Sequence, residues 1–215
     1  MKVKWLGHAS FLFTSDQGIR VITDPYTPGG PLSYGGIEET ADIVTVSHEH
    51  GDHNNASAVR GNPEVVKGAG TRQLKEVDFT GVSTFHDTAQ GGQRGPNTVF
   101  CFVIDGIRVC HLGDLGHMLG DRKVFEIGEV DVLLTPVGGH FTIDAAVATE
   151  ICNKLNPRLV IPMHYKTAKC DYPIVDAEAF LRGRAGVRRV NDSEVELRKE
   201  ELSQATATIV LKHAL

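Results

Sequence analysis

The run Ile43-Val44-Thr45-Val46-Ser47-His48-Glu49-His50-Gly51-Asp52-His53 constrains this chain more than any other segment. Its apolar, β-branched start reads as a buried strand. On an extended segment, residues two apart point to the same side, so His48 and His50 can share one metal ion. Gly51 lets the backbone turn sharply, after which Asp52 and His53 are expected to open a short helix carrying Ala56, Ala58 and Val59. Four such donors within six positions exceed what one tetrahedral ion takes from a single short segment, which points to two ions.

Three other segments repeat the arrangement. His86 follows Val82–Phe85, Asp114 follows Val109-Cys110-His111-Leu112-Gly113, and His164 follows Leu159-Val160-Ile161-Pro162-Met163. Each donor sits where a strand gives way to a loop. In α/β architectures, sites gather at the carboxyl ends of strands, where loops converge. A solvated polar loop accounts for one such histidine, but not for the same placement at several strand ends.

The rest of the chain supplies the frame. Short strands are expected at Val3–Leu6, Ser10–Thr14, Arg20–Thr23, Ile43–Ser47, Val82–Phe85, Thr98–Ile104, Arg108–Leu112, Val132–Val137, Arg158–Met163 and Ala207–Leu211. Asp105-Gly106 marks a hairpin between two of them. Thr142–Leu155 has helical spacing, with Thr142 as its cap and Asn156-Pro157 as its stop, and Val175–Arg182 is a second helix. No linker, repeat or low-complexity segment intervenes, so residues 1–215 read as one α/β (α+β) domain of sheet layers covered by helices.

Composition narrows the function. Against 22 basic side chains stand 27 acidic ones, a net charge of −5, so a surface that tracks a nucleic-acid backbone is not expected. The N-terminus lacks the pattern of a secretory signal, and no stretch approaches the roughly 18 apolar residues of a membrane span. Cys101, Cys110, Cys152 and Cys170 show neither zinc spacing nor the density of a disulfide framework. A cytoplasmic protein, without membrane association, is the expectation.

His48-Glu49-His50-Gly51-Asp52-His53, the later His111-Leu112-Gly113-Asp114-Leu115-Gly116-His117 and Pro162-Met163-His164-Tyr165 resemble the metal-binding motifs of the metallo-β-lactamase superfamily. Trp5-Leu6-Gly7-His8-Ala9-Ser10-Phe11 and Thr23-Asp24-Pro25 narrow the resemblance to small metal-dependent hydrolases that include relatives of ascorbate-6-phosphate lactonase. The resemblance implies a four-layer αββα sandwich with two divalent metal ions along one edge. It assigns His48, His50 and His86 to one ion and Asp52, His53 and His164 to the other, with Asp114 bridging. His140 is the alternative to His86. Zinc is the first expectation, with manganese or iron as alternatives because their preferred donors overlap.

By the same resemblance, Asp24 lies behind the ligands and orients the HxHxDH loop, and His8 lies near the metals, where it could bind substrate or donate a proton to the leaving group. A water between two divalent cations becomes hydroxide near neutral pH; on zinc its pKa falls from about 15.7 to about 7. Asp52 could orient that water as it attacks a carbonyl carbon or a phosphorus. Arg94, in the loop Gly91–Asn97, together with His117 and His140, are candidate substrate contacts, with Tyr165 and Lys166 of similar standing. His111 reads as structural and His213 as solvated.

A secreted β-lactamase would carry a signal peptide, a glyoxalase-like thioesterase a C-terminal helical domain, and an RNA-processing member a basic extension. What remains is hydrolysis of a lactone, ester, amide or phosphoester in a small molecule, anionic ones included. An iron-dependent oxidoreductase and a non-catalytic metal-stabilised binding protein are the alternatives.

Overall fold

In the computed structural model, which describes residues 1–215, strands form where β-branched and aromatic residues cluster. They are β1 (Lys2–Gly7), β2 (Ser10–Thr14), β3 (Arg20–Thr23), β4 (Ile43–Val46), β5 (Glu64–Lys67), β6 (Gly70–Leu74) and β7 (Val77–Phe85). Then follow β8 (Pro96–Ile104), β9 (Ile107–His111), β10 (Val132–Pro136), β11 (Leu159–Met163), β12 (Val187–Arg189), β13 (Glu194–Glu196) and β14 (Ala207–Val210). The helices are α1 (Asp121–Ile127), α2 (Ala145–Leu155) and α3 (Glu178–Leu181).

Two sheets result, one ordered β13-β1-β2-β3-β4-β5 and the other β12-β14-β11-β10-β9-β8-β7-β6. Alternation along the strands decides what each face meets. Val3, Trp5, Phe11, Phe13, Val21 and Ile43 of the smaller sheet share one apolar core with the larger sheet. Phe13 meets Phe102 across that core at 5.1 Å, edge to face. Leu6, Leu12, Ile22, Val44 and Val46 point the other way, into a second cluster with Tyr26, Leu32 and Tyr34. Each fully buried side chain of this size contributes about 1.5–3 kcal/mol, so a one-residue slip of a strand would cost several such terms at once.

Strand direction is what builds the site. β2 runs antiparallel to both β1 and β3, and β4 lies parallel to β3, so β1, β3 and β4 all point one way. In the larger sheet β8 is antiparallel to both β7 and β9, while β10 is parallel to β9 and to β11. Strands β7, β9 and β11 therefore share a direction as well. His8, Asp24, His48, His86, Asp114 and His164 follow the ends of these six strands.

The interior strands lie where the sequence places them, to within a residue or two at most ends. β7 is longer than expected, beginning at Val77. The Asp105-Gly106 hairpin forms, with Ile104 opposite Ile107 and both turn residues at positive φ. The helices need correction. Helix α2 begins at Ala145, capped by Asp144, whose carboxylate accepts from the Val147 N–H, rather than by Thr142. Helix α3 covers only part of Val175–Arg182, because Asp176 accepts from the Glu178 N–H in a turn just before it. Asp52 and His53 lie in a turn, and the expected helix after them is a single 3₁₀ turn, Ala56–Ala58. Helix α2 packs on β10, and α3 on α2, over the larger sheet. Irregular segments around Tyr26–Ile37 and Cys170–Ile174 cover the outer face of the smaller sheet.

Candidate metal centre

Three of the strand-end residues adopt left-handed backbone: His8 at φ 51°, Asp24 at φ 40° and His164 at φ 49°. A non-glycine residue in that region costs on the order of 1–3 kcal/mol, a strain that persists only where surrounding structure imposes it. Here it swings each side chain off its strand and into the edge between the sheets. Neighbouring loops press close behind. A Cβ on Gly116 would lie 2.3 Å from the backbone carbon of His86, so only glycine lets the Asp114 loop approach so near.

The donors converge in two groups around one carboxylate. His48, His50 and His86 offer ring nitrogens that all lie within 4.8 Å of one another, and so do the donor atoms of His8, Asp52, His53 and His164. Asp114, fully buried, reaches both. Its Oδ2 lies 3.1 Å from His86 Nε2, 3.3 Å from His164 Nε2 and 3.8 Å from His48 Nε2. Its Oδ1 lies 3.2 Å from His53 Nε2. Of the two histidines weighed for the first group, His86 is in it; His140 is exposed and packs edge-on against Phe141.

Buried hydrogen bonds fix the tautomers. The His53 Nδ1–H donates to Asp24 Oδ2 at 2.8 Å, which leaves Nε2 as the donor atom facing Asp114. Ser47 donates to the same carboxylate through both its backbone N–H and its hydroxyl. The Ser47 hydroxyl also accepts from His48 Nδ1–H, so one buried aspartate orients a histidine of each group. Asn97 holds the backbone that presents Asp114: its side-chain oxygen accepts from the Asp114 N–H, and its amide donates to the Leu112 carbonyl.

Whether a metal fits can be judged from the unpaired atoms. His53 Nε2 and Asp114 Oδ1 are buried and make no hydrogen bond, which is costly unless something else bonds them. Clusters of imidazole nitrogen and carboxylate oxygen within 4.8 Å of one another suit divalent ions of the zinc, manganese or iron type. Without a bound ion, protons take over the charge balance. Burial opposes a charge on His53, yet Asp114, Asp52 and Asp24 outweigh it and hold the ring protonated well above its usual range. Burial and the His53 charge push His48 down to about 3. Burial also opposes the Asp114 charge, but His164 and His53 keep the carboxylate ionised far below the usual range. In effect a proton on His53 supplies the positive charge that a cation would bring.

A cavity of about 260 Å³ opens over the centre. Five of the candidate ligands line it, and Arg94, Phe141 and Tyr172 complete its wall. Arg94 also borders a hollow of about 640 Å³ that runs past His48, His50 and Lys67. His117 does not reach the cavity: its Nε2 accepts from the Phe85 N–H and its Nδ1 lies 2.9 Å from the Met118 carbonyl, so both ring nitrogens are spent on backbone. Tyr165 is buried against Trp5, and the Lys166 ammonium turns toward Asp171. His111 is buried in β9 and bonds the Ala9 carbonyl. His213, expected in solvent, is half-buried and packs edge-on against Trp5 and Tyr34.

Sequence reasoning missed several contributors. Ser47 belongs to the motif but reads as the last residue of a strand. Asn97 and Tyr172 carry no local signal. Asp87 does carry one, since an aspartate before Gly91-Gly92 invites a turn. It is buried and accepts from the backbone N–H groups of Ala89, Gly91, Gln93 and Arg94. Burial works against its charge, but those four donors prevail and hold it at about 2.

The β-lactamase superfamily domain matches residues 2–164. A UPF0173 metal-dependent hydrolase of Pelotomaculum thermopropionicum is 32% identical, over 92% of this chain and 96% of that protein. Another from Thermococcus kodakarensis is 32% identical, over 85% and 91% respectively. Among solved structures, a Thermotoga maritima protein described as a candidate zinc-dependent hydrolase of the metallo-β-lactamase superfamily is 38% identical. It superposes with a TM-score of 0.82 over 98% of this chain and 99% of that one. With strands, donors and motif order all in agreement, the chain belongs to the metallo-β-lactamase superfamily, among the UPF0173 metal-dependent hydrolases.

Proposed function

We propose that this protein is a dinuclear metal-dependent hydrolase that cleaves a lactone, ester, amide or phosphoester of a small molecule. The observation that carries this reading is Asp114, a single buried carboxylate within 3.3 Å of nitrogens from both donor groups. His48, His50 and His86 would hold one ion, Asp52, His53 and His164 the other, with Asp114 between them. When bound, two divalent ions supply a hydroxide at neutral pH and polarise the bond to be cleaved. Zinc is the first choice, manganese or iron the next.

The chain's own residues would do the rest. Asp52 accepts a hydrogen bond from the attacking water and orients it. His8, a neutral imidazole whose Nε2 lies 3.3 Å from Asp52 Oδ2, relays to the leaving group the proton that Asp52 takes from the attacking water. Four free, buried thiols suit a reducing cytoplasm.

The test is a chromogenic panel of lactone, ester, amide and phosphodiester substrates offered to metal-loaded protein, with His48→Ala alongside. Turnover by the wild type that falls to background in the variant supports the reading. Equal turnover in both would assign the activity to a contaminant or to another site.

A further inference from the structure

On this protein's surface Arg20 pairs with Glu39 and Arg189 with Glu178. Arg94 is half-buried on the cavity wall and has no ion pair and no side-chain hydrogen bond. Its guanidinium carbon lies 5.5 Å from the centre of the Phe141 ring, a cation–π contact that orients the group without using any of its N–H donors.

Its position is also built. The Arg94 backbone N–H donates to Asp87 at 2.7 Å, as the last of the four amides gathered on that buried carboxylate. Asp87 directly follows His86, so the loop that presents the guanidinium and the strand end that presents His86 are one rigid unit. A surface loop needs no such internal scaffold to make a turn. It needs one to hold a side chain at a fixed reach from a fixed point.

We infer that Arg94 is the specificity-determining residue of this site and selects substrates that carry a terminal oxyanion, a carboxylate or a phosphoryl group, separated from the scissile bond by a short apolar spacer. This rests on the hydrolase reading above for the scissile bond, but not for the anion. The guanidinium fork matches either oxyanion through two parallel hydrogen bonds. Phe141 and Tyr172, 5.4 Å apart edge to face, supply the apolar wall along which the spacer lies. The cavity between the metal-facing donors and Arg94 is about 260 Å³, just below the usual range of small-molecule sites, so the spacer between scissile bond and anion is short.

The experiment compares mono-(4-nitrophenyl) glutarate and 4-nitrophenyl 4-phosphonobutanoate with the uncharged 4-nitrophenyl pentanoate. Wild-type protein is expected to prefer a charged tail in kcat/KM by at least tenfold, and the tail preferred tells carboxylate from phosphoryl. In Arg94→Gln, with metal content retained, that ratio is expected to fall to near one; in Arg94→Lys, which keeps the charge but loses the fork, it should lie between. Glutarate and 4-phosphonobutyrate are also titrated calorimetrically into wild type and Arg94→Gln, as purified and zinc-loaded. At least tenfold weaker binding to the variant is expected. If metal-loaded protein hydrolyses none of these esters, the ester branch of the hydrolase reading fails, and the titration still decides the role of Arg94. An unchanged tail ratio together with unchanged anion affinity in Arg94→Gln overturns the inference.

Discussion

Asp24 and His53, twenty-nine residues apart, meet in a 2.8 Å hydrogen bond with both side chains fully buried. Because the same carboxylate also holds Ser47, and through it His48, it stands behind both groups of donors. Replacing a partner of this kind commonly costs 10- to 100-fold in metal affinity. Asp24→Asn is therefore expected to give up its metal to a competing chelator at about one-tenth to one-hundredth of the wild-type threshold, with its circular dichroism unchanged. Retention of wild-type affinity would show that the bond does not orient the ligands.

His8 separates the handling of protons from the holding of metal. His8→Ala is expected to keep its metal and lose roughly 10²- to 10⁴-fold in kcat, the span of general acid catalysis. If metal content and turnover both survive unchanged, His8 has no part in the reaction.

The metal-free protein has a stability profile fixed by its buried histidines. Burial first, then repulsion from His164, lowers His8 to about 4, and His48 lies near 3. Below about pH 6.5 the unfolded chain takes up protons that these folded histidines refuse, so stability falls as the pH falls. His8 alone contributes a loss on the order of 3 kcal/mol by pH 4. His53 has the opposite sign. Its raised folded pKa contributes stability that is fully present below about pH 6.5 and is lost as the pH rises through that folded value. The carboxylates Asp52 and Asp114, both lowered, lose their contribution only below the ordinary aspartate range. Thermal melts in EDTA should therefore peak near neutrality and decline on both sides. A melting temperature that rises steadily from pH 6.5 to pH 4 would contradict this balance.

Gly116 tests the packing behind the site. The Cβ of Gly116→Ala would meet the backbone of His86 rather than a side chain that can move aside. A destabilisation of about 1–3 kcal/mol is expected from this overpacking, together with weaker metal retention, read by denaturant unfolding and by chelator titration. Wild-type stability in the variant would mean that the loop yields freely.

The interior of the fold and most of the centre were legible because they depend on local pattern. Apolar runs place the buried strands, and a donor directly after each run places the site. What escaped depends on partners distant in sequence. The four strands that gave no signal, β5, β6, β12 and β13, are the outer edges of the two sheets. Edge strands meet one neighbour and water, so Glu64–Lys67 and Glu194–Glu196 carry charges where an interior strand carries apolar residues. Asn97 and Tyr172 were likewise invisible, since each acquires its role only when another loop folds against it. His117 misled in the opposite direction: its place in a motif suggests a ligand contact, while the fold spends both its nitrogens on backbone.

Metal stoichiometry bears most directly on the centre as a whole. Elemental analysis of protein purified without chelator, then reconstituted with excess zinc and desalted, should find close to two equivalents per chain in the wild type. In His48→Ala, which removes one donor from the first group only, it should find close to one. A folded preparation with all its histidines intact that retains no metal after reconstitution with excess zinc would contradict the dinuclear centre outright.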